Sequence, residues 1–172
     1  MERRRSIQTA LVVLGLAACL AAPAWAADET KPDMAVKVSL MREVVVSDPQ
    51  GKPRVELEPV STTKPGDTLV YKILYTNTGD APAHNARVVD PIPTGTLLIP
   101  ASCAPAGSEL TASLDGGKTF ERFPARRTVS LPDGGTELRD VDPALYTHLA
   151  WTSGEPLAPG ATRQAQFKVK VR

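Results

Sequence analysis

From residue 34 onward, apolar and polar residues alternate with a period of two, the spacing at which successive side chains of a strand point to opposite faces. The clearest run closes the chain: Ala165, Phe167, Val169 and Val171 fall on one face, and Gln164, Gln166, Lys168, Lys170 and Arg172 on the other. A slip of one residue would exchange the two faces, so the pattern also specifies register. Thr68 to Thr76 repeats it, with Leu69, Tyr71, Ile73 and Tyr75 set against Val70, Lys72 and Leu74. Shorter strands are predicted over Met34 to Leu40, Glu43 to Val46, Val55 to Val60, Ala86 to Val89, Leu97 to Ile99, Glu109 to Ala112, Thr119 to Phe123 and Thr147 to Trp151. In the Val55 strand, Val55 and Leu57 alternate with Glu56 and Glu58, the pattern of a half-solvated strand. No segment carries a 3.6-residue period over three turns, so no amphipathic helix is expected.

The breaks between these runs are turn chemistry. Asp48-Pro49-Gln50-Gly51, Lys64-Pro65-Gly66-Asp67, Asn77-Thr78-Gly79-Asp80, Asp90-Pro91-Ile92-Pro93-Thr94-Gly95 and Pro156-Leu157-Ala158-Pro159-Gly160 combine prolines that preset φ with Gly and Asn that tolerate positive φ. Asp115-Gly116-Gly117-Lys118 joins two runs as a hairpin. Pro100 is expected to end the Leu97 strand. Asp142-Pro143 opens one helical turn through Tyr146, with Pro at its first position. Residues 124–142, rich in Pro, Gly and charge, read as a long loop and a candidate contact region. Many short strands separated by turns predict an all-β fold, an antiparallel β-sandwich in a single domain over residues 34–172.

The first 26 residues have a different grammar. Arg3, Arg4 and Arg5 precede an apolar run from Ala10 to Ala22, and Ala24-Trp25-Ala26 supplies a small-residue cleavage site before Ala27. These are the three parts of a secretory signal peptide. The run is short for a membrane span, and Pro23 interrupts it. Leu16-Ala17-Ala18-Cys19 offers a second processing route, in which Cys19 is lipidated and becomes the mature N-terminus; Cys19 is otherwise one more small apolar residue of the run. Arg4-Arg5 matches a twin-arginine signal only in that pair. Residues 27–33 are polar and aperiodic and read as a flexible leader. The chain is therefore expected outside the cytoplasm of a bacterium, either periplasmic or at the cell surface and beyond, with membrane attachment only through Cys19.

Composition narrows the function. At 172 residues and 42% hydrophobic content the chain can bury one core. A formal net charge of +1 and 5% aromatic residues argue against nucleic-acid binding by bulk basicity or by stacking. Sixteen prolines, against roughly 5% of residues in average proteins, suit a fold of short strands. Cleavage after Ala26 leaves Cys103 as the one cysteine, which cannot close an intrachain disulfide; it is either buried and inert or available to another chain.

The turn motifs, taken in order, carry a family resemblance. Lys64-Pro65-Gly66-Asp67, the Tyr71 to Tyr75 strand, Asn77-Thr78-Gly79, Asp90-Pro91-Ile92-Pro93-Thr94-Gly95, Asp115-Gly116-Gly117-Lys118-Thr119-Phe120, His148-Leu149-Ala150-Trp151 and Leu157-Ala158-Pro159-Gly160 resemble the bacterial conserved-repeat module called domain of unknown function 11. The resemblance spans roughly residues 60–172. It implies an immunoglobulin-like sandwich on an exported or envelope protein and carries no catalytic residues. This chain has one copy where the family often has tandem arrays.

Candidate chemistry is sparse. His84, His148, Cys103, Met34 and Met41 are the residue types of a copper site, but they are not gathered on one loop as such sites require. Cys103 with His148 is the best nucleophile and base pair, without an elbow or helix start beside the cysteine. Ser102, Ser108 and Ser113 lack Gly-flanked nucleophile motifs. Asp133, Glu137, Asp140 and Asp142 are oxygen donors in one Gly-containing stretch, in no Ca²⁺-loop spacing. No catalytic residue, cofactor or metal is assigned. The expectation is a non-enzymatic structural or interaction module of the cell envelope whose partner is another envelope protein. The alternatives are an accessory of an envelope assembly, built by strand addition at an exposed final strand, and a periplasmic metal- or ligand-binding protein.

Overall fold

Two antiparallel sheets face each other across the apolar positions that the alternation singles out. The computed structural model describes residues 31–105 and 107–172; Ala24, Ala26 and Ala27 of the expected cleavage site, and Cys19, lie outside them. The strands are β1 Met34–Ser47, β2 Pro53–Pro59, β3 Thr68–Asn77, β4 Arg87–Pro91, β5 Thr96–Pro105, β6 Ser108–Ser113, β7 Glu121–Arg122, β8 Arg126–Ser130, β9 Thr136–Asp140, β10 His148–Ser153 and β11 Thr162–Val171. One sheet has the order β2-β1-β3-β11-β5 and the other β4-β10-β6-β7, while β8 and β9 pair only with each other. The architecture is all-β, antiparallel and compatible with an immunoglobulin-like sandwich.

The two long alternating runs hold the centre. β3 lies between β1 and β11, and β11 between β3 and β5. Leu69, Ile73 and Tyr75 of β3 and Ala165, Phe167 and Val169 of β11 are buried against Leu149 and Trp151 of β10, Val88 of β4 and Ala112 of β6. Phe167 stacks on Tyr71 at 4.8 Å between ring centroids and meets Trp151 at 6.0 Å. The final strand, an exposed edge only in the strand-addition alternative, is thus an interior one. Its Lys168 reaches across the outer face to Glu43 of β1.

Four further expectations are revised. The Met34 and Glu43 runs are one strand of 14 residues. Pro100 does not end β5; residues 100–103 bulge out between the pairs Ile99↔Lys168 and Ala104↔Gln166. Ser102 closes this bulge by accepting from Lys168 N–H at 2.7 Å and donating to the Ile99 carbonyl at 2.6 Å. A proline is tolerated there because β5 is an edge strand. Residues 124–142 are not a loop: β8 and β9 form a hairpin around Leu131 to Gly135, where Gly134 takes φ 83°. Buried Ala125 and Val141 tie its base, with Ala125 N–H donating to the Tyr146 hydroxyl at 2.9 Å. The turn expected after Asp142 forms as a single 3-10 turn over Pro143–Leu145, with Asp142 accepting from Ala144 N–H.

The last revision is at the start of the described chain. Residues 31–33, read as part of a flexible leader, are hydrogen-bonded to the turn after β3, through Thr78 N–H to Asp33 O at 2.8 Å and Asp80 N–H to Lys31 O at 3.2 Å. The approach is so close that a Cβ on Gly79 would sit 2.1 Å from the Lys31 carbonyl. Asn77 anchors the junction. Fully buried, it donates to the carbonyls of Ala81 and Leu157 and accepts from Gly79 N–H. A buried amide with its donors and acceptor used is a strong local organiser.

Candidate interaction edge and the closed end of the sandwich

The edge strands differ in how they resist pairing with another chain. Exposed edges invite strand addition, and proteins blunt them with proline, bulges, charge or brevity. β2 begins and ends in proline and carries Arg54, Glu56 and Glu58. β5 is broken by its bulge and contains Pro100 and Pro105. β4 has five residues and ends in Pro91, and β7 has two. The β8–β9 hairpin is charged along its length, with Arg126 paired to Asp140, Arg127 to Glu121 and Arg139 to Glu137.

β1 is the exception. It pairs with β3 from Met34 to Arg42 but with β2 only from Met41 to Ser47. Among the described residues, the Met34–Leu40 stretch therefore has one edge with no neighbour. That stretch is Met-Ala-Val-Lys-Val-Ser-Leu: no proline, no bulge, one charge. Val36 and Val38 lie opposite Tyr75 and Ile73 of β3, so they belong to the inward face of the sheet. Yet they are 52% and 51% exposed, because the four-stranded sheet does not reach that far. On the outward face the same half of the sheet carries Lys37 and Lys72, neither in an ion pair among the described residues, whereas further along β1 on that face Glu43 is paired with Lys168. Val45 and Val55, directly paired on the protruding β1–β2 hairpin, are 72% and 59% exposed.

The opposite situation holds at the end of the sandwich. Asp90 follows buried Val88 by two residues on β4 and shares its inward face. Its Oδ2 is buried with no hydrogen-bond partner among the described residues. Burial pushes its carboxyl up to about 6 from 3.8, and nearby His148 opposes the shift only in part. Asp90 in turn helps to raise the Tyr71 phenol, after burial. A cavity of about 460 Å³ opens beside it, lined by the Pro91 to Thr96 turn together with Tyr146, Thr147 and His148. Two of its polar groups are engaged within the fold: Thr147 Oγ1 donates to the Ser113 carbonyl and accepts from Gly116 N–H, and the Tyr146 hydroxyl accepts from the Ala125 amide. Asp115, at the β6–β7 turn, is Asp90's counterpart. Fully exposed, it accepts from the Thr119 and Lys118 amides and from the Ser113 and Thr119 hydroxyls, and these bonds hold its carboxyl well below the usual range.

The residues singled out from sequence are scattered. Met34 and Met41 lie in β1, His84 before β4, Cys103 in the β5 bulge and His148 in β10 of the other sheet. Among the described residues no group of three or more His, Cys, Asp or Glu side chains is placed to hold a metal ion. Cys103 is half-buried and its thiol is pushed up to about 12, chiefly by burial, so it stays protonated. The His148 ring lies 3.2 Å from Thr147 Oγ1 and against Gly117. Ser102 bridges the bulge, Ser108 meets the Tyr75 hydroxyl at 3.2 Å, and Ser113 belongs to the Asp115 turn. The four acidic residues of the 133–142 stretch are each engaged within the fold, Asp133 and Asp142 in capping turns, Glu137 and Asp140 in pairs with arginines. Alternation could not disclose the open edge, because it reports faces and not sheet order.

No family model, no curated protein and no solved structure matches the chain. No helix among the described residues is long and apolar enough to cross a membrane.

Proposed function

We propose that this chain is an exported, non-enzymatic interaction module of a bacterial cell envelope, whose working surface is the unguarded half of β1. The observation that carries the reading is the contrast among edges: every other one among the described residues is blunted, while Met34–Leu40 presents free backbone and half-exposed Val36 and Val38. Such an edge is a liability in an isolated protein and an asset in one that binds a partner. Export rests on the Arg3 to Arg5, Ala10 to Ala22 and Ala24-Trp25-Ala26 signals, and an envelope setting agrees with the family resemblance over residues 60–172. The partner is another envelope protein.

Two measurements test this. A photo-crosslinking residue at position 36, introduced into the protein in the native bacterium, yields a discrete adduct with one partner, while the same residue at Thr128 on the β8–β9 hairpin does not. Equal, diffuse labelling from both positions would defeat the reading. Mass spectrometry of the exported protein shows a start at Ala27; a lipidated Cys19 start would move the module onto a membrane anchor.

A further inference from the structure

Resting on that reading, we propose that the partner binds by strand addition: an extended segment with β-branched residues at alternate positions and carboxylates between them pairs backbone to backbone with Met34–Leu40. Three observations converge. The backbone edge has no neighbour among the described residues over that stretch. The inward-facing side chains beside it, Val36 and Val38, are half exposed, so apolar residues on an added strand would pair with them and extend the sheet's inner face. The outward-facing side chains are Lys37 and, diagonally on β3, Lys72, with no carboxylate bound to either among the described residues. An added strand sets its outward residues beside Lys37, with Lys72 one strand further in on the same face, which selects acidic ones.

The same charges argue against a second copy as the occupant. A two-fold axis perpendicular to the sheet keeps the faces aligned, and the register that overlaps all of Met34–Leu40 then places Lys37 opposite Lys37. Like charges directly opposite on a sheet are destabilising. The chain's own approach is also directed elsewhere, since residues 31–33 are bonded to Thr78 and Asp80 on the β3 side.

The probe is the blocked heptapeptide Thr-Val-Glu-Val-Glu-Val-Thr, titrated into the purified protein and followed by calorimetry and by amide exchange. Binding, with new protection confined to Met34–Leu40, supports strand addition. The Lys37→Glu variant, at an exposed site where the fold is not at stake, weakens this peptide by about fivefold and favours the Thr-Val-Lys-Val-Lys-Val-Thr peptide by a similar factor. N-methylation of alternate peptide amides, which removes the backbone donors and leaves the side chains, abolishes binding in one of its two registers. Equal binding by both N-methylated forms would overturn the proposal, as would indifference to Lys37→Glu, or a dimer held through this edge in sedimentation. A partner crosslinked at position 36 in cells, together with peptides that bind without protecting these amides, would leave the interaction reading standing and strand addition refuted.

Discussion

The five-stranded sheet has a covered part and an uncovered part. Over β3 and β11 the second sheet closes off water so completely that Phe167, Ile73 and Val169 are fully buried. Over the first half of β1, residues of the same inward face, in the same alternation, are half exposed. The side chains are as apolar in both places. What differs is whether a strand lies opposite. Burial, and with it the hydrophobic contribution of each residue, is decided by sheet order and the reach of the partner sheet rather than by the local pattern.

The largest consequence is energetic. Phe167→Ala is expected to cost about 3–5 kcal/mol in urea unfolding, the range for a buried aromatic, whereas Val38→Ala stays within about 0.5 kcal/mol. Comparable losses at the two sites would mean that something covers β1. Next is the joint between the two parts: Asn77→Ala removes the side-chain donor to the Ala81 carbonyl, leaves the Leu157 carbonyl with the Ala83 amide alone, and releases the anchor of residues 31–33, for an expected loss of about 2–3 kcal/mol. Retained protection of the Thr78 amide in that variant would contradict the role given to Asn77.

The margins of the sheet offer a finer contrast. On the β5 side the bulge is stitched by one hydroxyl, and Ser102→Ala is expected to cost about 1 kcal/mol and to speed exchange of the Lys168 amide. An unchanged Lys168 amide would show that the bulge does not depend on the stitch. A smaller effect gauges how dry the covered part is. Asp90's folded carboxyl sits near 6, above its ordinary 3.8, so the folded state holds its proton more tightly. Its stabilising contribution is therefore complete below about pH 4 and is lost as the pH rises through 6. Asp90→Asn should match the parent protein near pH 4 and exceed it at pH 7.5 by about 1 kcal/mol, solvent screening of a partly exposed group keeping the gain small. A constant difference across that range would mean that Asp90 is solvated.

Much of the fold was legible because period-two alternation is strong where both neighbours and the facing sheet exist. Leu69 to Tyr75 and Ala165 to Val169 fell on the buried face as the pattern required. The pattern misled in β2: Val55 and Leu57 alternate with Glu56 and Glu58 as if half-buried, yet their pairing with Val45 and Glu43 sets them on the outward face of the sheet, which no second sheet covers. Proline was over-read at Pro100, since an edge bulge accommodates it without ending the strand. The β8–β9 hairpin was hidden by its composition. Its strands are largely exposed on both faces, so no alternation of apolar and polar residues marks them. The candidate site was the least legible part, for an edge exists only in relation to strands that pair from far along the chain.

Amide hydrogen exchange across β1 puts the open edge to its most direct trial. In the purified protein without added peptide, protection over Met34–Leu40 should alternate: amides donated to β3 exchange slowly and the intervening ones quickly, while consecutive amides of β3 are all slow because that strand has neighbours on both sides. Uniform protection of successive β1 amides would show that the edge is already filled, and the account built on its openness would fail.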